Sequence, residues 1–297
     1  MHYRVLFINT SSHIRNFSIL VTHEEFKKII KKSYLNTSKP YRINYHHIRS
    51  RKYSINKCNI KQNSSRIAVV TNFFTEKTKI NDVYRYNLLI KKGQYPLLSS
   101  ISGPVQDEKE TKKYVDIDPK QAPYESIVII IESPHKDEYY YSSRSLQPLT
   151  IANGQTGNGI ENCICPIINY LLSKQVVSLS DSTYSIIICN PVQYQTSLHY
   201  LIKGKANTDI KFNIWKTLFI DCKLNSDFIQ RLQTYSPTLI INACTRTIKD
   251  EYNNTLHSLV NDEINNTSYF QNRIHTNLNY IINTYHPCQW NNFGIDI

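Results

Sequence analysis

No stretch of this chain approaches the roughly 20 consecutive apolar residues of a membrane-spanning helix. No Cys-x-x-C pair occurs among Cys58, Cys163, Cys165, Cys189, Cys222, Cys244 and Cys288, so a structural zinc or iron–sulfur site lacks its usual ligand spacing. Their number is odd, which argues against a disulfide framework and for reduced thiols in a cytosol. No acidic cluster able to hold Mg²⁺ is present, which disfavours a nuclease. Internal repeats are absent. The N-terminus, Met1-His2-Tyr3-Arg4, leads into a strand-like stretch and not a signal peptide. These absences lead us to expect a soluble, cytoplasmic monomer with no metal, cofactor or membrane partner.

What the chain has is positive charge in one place. Residues 1–120 carry 23 Lys+Arg against 9 Asp+Glu, whereas residues 121–297 carry 12 against 14. The net +12 of the 297-residue chain is therefore wholly N-terminal. Such an asymmetry suits a polyanion, most simply DNA, single- or double-stranded. Lys- and Asn-rich coding is the plainer source of the same excess.

Within residues 1–102, Val5 to Ile8, Ile19 to Val21 and Ile67 to Val70 read as strands. Thr22 and Glu25 have capping-box spacing ahead of an apolar stripe of Phe26, Ile29, Ile30 and Tyr34, which predicts a helix from Thr22 to about Tyr34. Its opposite face carries Lys27, Lys28, Lys31 and Lys32, placed either to lie along phosphates or to be solvated. We read residues 1–102 as a basic, mixed α/β, accessory DNA-binding region. Residues 103–123, with Gly103, Pro104, Pro119, Pro123 and a charged run, read as a linker.

From residue 124 the pattern changes. Ile127 to Ile131, Ile186 to Cys189, Leu239 to Ile241 and Tyr280 to Ile282 are apolar at every position. Strands buried on both faces of a parallel sheet require this. Helical stretches alternate with them: Ile160 to Leu172, with Pro166 implying a late start or a kink, then Asn225 to Tyr235 and Thr247 to Glu263. Strand–helix alternation predicts a three-layer α/β/α sandwich around a mostly parallel four-stranded sheet over residues 124–297.

In open parallel sheets, ligands bind beyond the carboxyl ends of the strands. The first run exits into Glu132-Ser133-Pro134-His135, the second into Asn190-Pro191 and the fourth into Tyr285-His286-Pro287. An acid, an amide and an imidazole would therefore meet on one rim. Gly154-Gln155-Thr156-Gly157-Asn158-Gly159 precedes a helix and is either a phosphate-binding loop, with Thr156 at the phosphate, or an ordinary glycine loop. His46-His47 has no further ligands at metal spacing and reads as a surface pair, and Cys163 and Cys165 read as helix-packing residues.

These strand ends resemble those of the uracil-DNA glycosylase superfamily over residues 124–292. Ile131-Glu132-Ser133-Pro134 resembles the acid-and-proline motif that ends the family's first strand, with Glu132 in the place of the Glu of G-E-A-P-G. Ile188-Cys189-Asn190 resembles its base-reading strand end. His286-Pro287-Cys288-Gln289-Trp290 resembles its H-P-S motif and wedge loop. Ile214-Trp215-Lys216-Thr217-Leu218-Phe219 resembles its tryptophan-bearing helix. The resemblance implies a DNA glycosylase in which Glu132 and His286 are catalytic. Asn190, His135, Ser133 and Tyr139 would line the base pocket. Trp290 and Gln289 would touch DNA, and Trp290 would fill the gap left by a flipped base. Apart from the resemblance, Lys27 and Lys31 on the basic helix face and Thr156 in the glycine loop are the further DNA contacts we expect.

Two departures matter. The acid stands one residue before its place in the best-known uracil enzymes, and the four-cysteine site usual in the G-E-A-P-G branch is missing. His135 also replaces the tyrosine that closes the uracil pocket against C5 substituents. We therefore expect a modified pyrimidine, such as hydroxymethylated or glucosylated cytosine in phage DNA, ahead of uracil, and a role in antiviral defence ahead of conventional repair of DNA damage. The rival classes are a non-catalytic DNA-binding scaffold of the same fold and a hydrolase of nucleotides or small nucleosides, for which the basic excess would be superfluous.

Overall fold

Residues that are apolar at every position leave water only by being covered on both faces, and this chain stacks such runs side by side. A computed structural model describes residues 2–8, 17–22, 53–55, 58–60, 67–71, 74, 76–101, 112–142, 145–197, 199, 208–249, 253–274 and 280–290. In chain order the strands are β1 (His2–Ile8), β2 (Phe17–Thr22), β3 (Tyr53–Ile55), β4 (Cys58–Ile60), β5 (Ile67–Thr71), β6 (Val83–Ile90), β7 (Leu97–Ser100), β8 (Ser126–Ile130), β9 (Tyr139–Ser142), β10 (Ser145–Pro148), β11 (Ser182–Cys189), β12 (Leu239–Asn242) and β13 (Ile281–Asn283). The α-helices are α1 (Gln155–Ser173), α2 (Thr208–Lys216), α3 (Leu224–Tyr235), α4 (Leu256–Asn265) and α5 (Ser268–Ile274).

The chain divides into two units. The larger comprises residues 80–138, 149–193 and 225–297. It holds one six-stranded sheet in the order β13-β12-β8-β11-β6-β7. Its first four strands are parallel to one another, and β6 runs antiparallel to both β11 and β7. At the centre, Ile127, Val128, Ile129, Ile130, Ile186 and Ile188 are fully buried, as strands with no solvent face should be. α1 turns Ile160, Ile164, Ile167, Ile168 and Leu171 inward at helical spacing. It runs through Pro166 instead of starting after it.

The sheet has six strands, not the four expected. The two additional ones, β6 and β7, come from residues 83–100, upstream of the predicted linker. Arg85 and Asn87 interrupt the apolar pattern of β6, so the run reads as half-exposed, yet Arg85 is buried at a register shift opposite Ile186 and Ile187. The described part of the predicted linker is also packed. Ile117 accepts from the backbone N–H of Tyr84 at 3.0 Å, and the Tyr114 ring lies under the Arg85 guanidinium. The predicted helix from Thr247 starts later, at Leu256. The capping box formed by Thr255 and Ser258 sets that start.

The smaller unit comprises residues 1–79, 139–148 and 194–224. It holds a sheet of order β2-β1-β5 and two separate hairpins, β3–β4 and β9–β10. The strands read from Val5 to Ile8, Ile19 to Val21 and Ile67 to Val70 are all present. Thr22 ends β2; the rest of the predicted Thr22–Tyr34 helix, including Lys27 and Lys31, lies outside the described residues, as do His46 and His47. α2 continues into a π-helical turn at Thr217–Asp221, and buried Trp215 stacks on Phe219 with ring centroids 4.5 Å apart. Among the described residues no helix is long and apolar enough to cross a membrane.

Candidate functional site

The parallel strands β8 and β11 end together. Cys189 pairs with Ile130, and the Ile131 N–H extends the ladder by donating to the Cys189 carbonyl at 2.9 Å. The register sets Ile131 beside Asn190, and Glu132 follows one residue beyond that pair. Glu132 leaves β8 and is buried, and Asn190 leaves β11 and is fully buried. On the other side of β8, Cys244 Sγ lies 3.1 Å from the Ile131 carbonyl oxygen, and the Thr284 N–H donates to the Asn242 carbonyl at 2.9 Å. These contacts carry the rim across to His286, two strands from Glu132. At the usual strand spacing that is about 10 Å.

Two asparagines stand at strand ends on this rim and differ in kind. The side chain of Asn242 is fully used: its Nδ2 donates to the His257 carbonyl at 3.1 Å and to Asn261 Oδ1 at 2.8 Å, and its Oδ1 accepts the Cys244 N–H at 3.1 Å. It is a structural residue. The side chain of Asn190 is equally buried, but among the described residues neither its Nδ2 nor its Oδ1 has a partner. A buried amide without a hydrogen bond costs roughly 1–3 kcal/mol. A ligand edge offering one acceptor and one donor would remove that cost.

The backbone of Asn190 is held firmly. Its N–H donates to Asp82 Oδ1 at 3.0 Å, and its carbonyl accepts from Arg231 Nη2 at 3.1 Å. Asp82 also accepts from Gln193 Nε2, from the Tyr235 hydroxyl and from Arg231. Burial by itself would lower the Arg231 pKa, but the Asp82 carboxylate outweighs it and holds the guanidinium well above its ordinary value. Burial pushes the adjacent Cys189 thiol up, which disfavours its thiolate.

His286 is half-buried and opens a 3₁₀ turn over Pro287–Gln289. Its Nδ1 lies 3.1 Å from Cys288 Sγ, and the Gln289 N–H closes the turn on the His286 carbonyl at 2.8 Å. The turn packs directly on α1 at Gly159. Trp290 does not project from it. The indole is buried, and its Nε1 donates to the Tyr285 carbonyl at 2.7 Å. In this state it anchors the turn.

His135 is exposed, with Nδ1 3.2 Å from Asp137 Oδ2, and Ser133 is half-buried between buried Glu132 and Pro134. Tyr139 belongs to the smaller unit; it is buried, and its hydroxyl donates to the Thr78 carbonyl at 3.0 Å. Thr156 is half-buried in the first turn of α1, whose N-cap, Gly154, supplies no side-chain bond. Gly157 approaches Ala152 so closely that a Cβ would stand 2.1 Å from its carbonyl oxygen. That is the packing reason for a glycine there.

The sequence reading missed four residues at this end of the sheet. Asp82 and Arg85 flank the start of β6, and Arg231 sits mid-way along α3. The fourth, Glu138, is buried. Burial pushes its carboxyl up to about 8, against backbone hydrogen bonds from His135 and Ala152 and the charge of Arg85. Arg85 Nη2 donates to Thr150 Oγ1 at 2.9 Å and to the Ile151 carbonyl, so Glu138 and Arg85 together secure the loop that enters α1. Among the described residues no group of three or more His, Cys, Asp or Glu is placed to hold a metal ion. No family model, curated protein or solved structure matches the chain.

Proposed function

We propose that this protein is a DNA glycosylase that hydrolyses the N-glycosidic bond of a flipped-out pyrimidine, with modified cytosine in phage DNA favoured over uracil, and leaves an abasic site. The observation that carries this reading is the burial of both Glu132 and Asn190 just past the ends of two adjacent parallel strands, with His286 following a third strand of the same sheet; the Asn190 carboxamide has no partner among the described residues. The α/β organisation suits it, and a three-layer α/β/α arrangement is the form expected.

In this mechanism the base leaves the stack and places its polar edge on Asn190. The C1′–N bond breaks, and its electron pair departs with the base. His286 donates a hydrogen bond to the base oxygen where that charge grows. Glu132 stabilises the cationic sugar and takes the proton of the water that adds to C1′, and the departing base acquires a proton. The chemistry needs no cofactor. The N-terminal positive charge would hold the DNA, and the expected setting is antiviral defence in the cytoplasm.

The test is release of free base, with abasic-site formation, from duplexes carrying cytosine, uracil, hydroxymethylcytosine or glucosylated hydroxymethylcytosine. The expected result is release from a modified-cytosine duplex. Efficient release from uracil alone would make it a conventional uracil enzyme. DNA binding without release from any duplex would leave a non-catalytic scaffold.

A further inference from the structure

Because β6 runs antiparallel to its neighbour β11, it begins at the rim where the parallel strands end. Val83 pairs with Ile188, so Asp82 arrives level with Cys189, and its carboxylate reaches the Asn190 N–H. The Asp82 carboxylate is almost wholly buried, with 1% side-chain exposure, and it accepts four donors. Oδ1 takes the Asn190 N–H at 3.0 Å and Gln193 Nε2 at 3.1 Å. Oδ2 takes the Tyr235 hydroxyl at 2.9 Å and Arg231 Nη1. Arg231 then reaches past the carboxylate to the carbonyls of Asn190, at 3.1 Å, and Pro191, at 3.5 Å. Its Nε is held by Asp227 at 2.9 Å.

We propose that Asp82, Arg231 and Tyr235 form a clamp that positions Asn190 and thereby sets how strictly the site discriminates between bases. The inference rests on the glycosylase reading above. Its physical content is simple. The N–H on one side of the Asn190 Cα and the carbonyl on the other are both fixed by an ion pair whose carboxylate is buried. The backbone dihedrals are then set, and only the two side-chain torsions remain. Among the described residues the carboxamide stays buried without a partner instead of turning to find one, as Asn242 does. An amide offers a donor and an acceptor, and selectivity depends on where both are held. A loosened Asn190 would follow a wrong base as readily as the right one. None of the three clamp residues touches the reacting bond in this scheme; they are positioning residues.

The test compares Asp82→Asn, Tyr235→Phe and wild type on the four duplexes. Asp82→Asn keeps an oxygen for the Asn190 N–H but removes the charge that holds Arg231. Tyr235→Phe removes one hydrogen bond only and serves as the milder variant if Asp82→Asn does not fold. The expected result is that the ratio of kcat/KM for the best substrate over the cytosine duplex falls about tenfold in Asp82→Asn and at least twofold in Tyr235→Phe. The loss should lie mainly in KM for the best substrate, with unfolding midpoints showing that each protein is folded. Hydrogen exchange at the Asn190 amide should quicken in both variants, which reads the clamp without reference to activity. Folded variants with unchanged exchange and unchanged discrimination would overturn the clamp alone. Absence of base release by the wild type on every duplex would overturn the glycosylase reading and this inference with it.

Discussion

The backbone of Gly159 approaches Pro287 so closely that a Cβ placed on Gly159 would stand 2.1 Å from the Pro287 carbonyl oxygen. Helix α1 and the turn that carries His286 therefore meet backbone to backbone. Gly159→Ala must move one of them. Such overpacking costs typically about 1–3 kcal/mol, and here the displaced element holds the residue proposed to stabilise the departing base. We expect a lower melting temperature and a loss of base release that persists well below it. Gly157→Ala meets the Ala152 carbonyl at the same 2.1 Å and disturbs the loop before α1 instead. It should match the stability loss with a smaller loss of turnover. Wild-type turnover in Gly159→Ala would show that His286 does not need this placement.

Glu132→Gln keeps the shape of a buried side chain and removes its charge. A group that activates water contributes about 10²–10⁴-fold, so turnover should fall by that factor while DNA binding persists. Single-turnover base release and a DNA titration read the two quantities separately. Full turnover in the variant would remove Glu132 from the mechanism and favour the scaffold reading.

Period and composition make the central strands legible in the sequence. Apolar runs at Ile127 to Ile131 and Ile186 to Cys189 announce strands covered on both faces, and their exits point to Glu132 and Asn190. Strand β6 looks different because Arg85 and Asn87 interrupt it. A buried arginine takes its meaning from distant partners, here the Thr150 hydroxyl and the Ile151 carbonyl, which no local pattern contains. Asp82 and Arg231 escape for the same reason: they are ordinary charged residues until a strand start and the middle of a helix bring them together. Trp290 is legible as important, but its direction is not. Only the packing shows the indole turned back onto Tyr285.

That direction gives Trp290 a measurable role. A buried Trp replaced by Ala costs roughly 3–5 kcal/mol, and Trp290→Phe, which loses chiefly the bond to the Tyr285 carbonyl, should cost about 0.5–1.5 kcal/mol. Urea unfolding should show both losses in the absence of DNA. A Trp290→Ala protein of wild-type stability and weakened DNA affinity would instead return this residue to the role of a wedge in the duplex.

Glu138 ties stability to pH. Its carboxyl has an ordinary value of 4.5 and is pushed up to about 8 in the fold, chiefly by burial. Between those values the folded chain holds a proton that the unfolded chain has lost. Stability from this group is therefore greatest at low pH, declines as pH rises from 4.5 to about 8, and is flat above. His257 works in the opposite sense over a lower window: its imidazole falls from 6.5 to about 4, chiefly by burial with the charge of Arg246 adding, so its contribution rises with pH up to 6.5. Comparing above about pH 6.5 isolates the carboxyl. Glu138→Gln cannot ionise, so its unfolding free energy should gain on the wild type as pH rises from about 6.5 to 8.5. Parallel curves for the two proteins across that interval would mean that Glu138 is already charged in the fold, with Arg85 as its counterion.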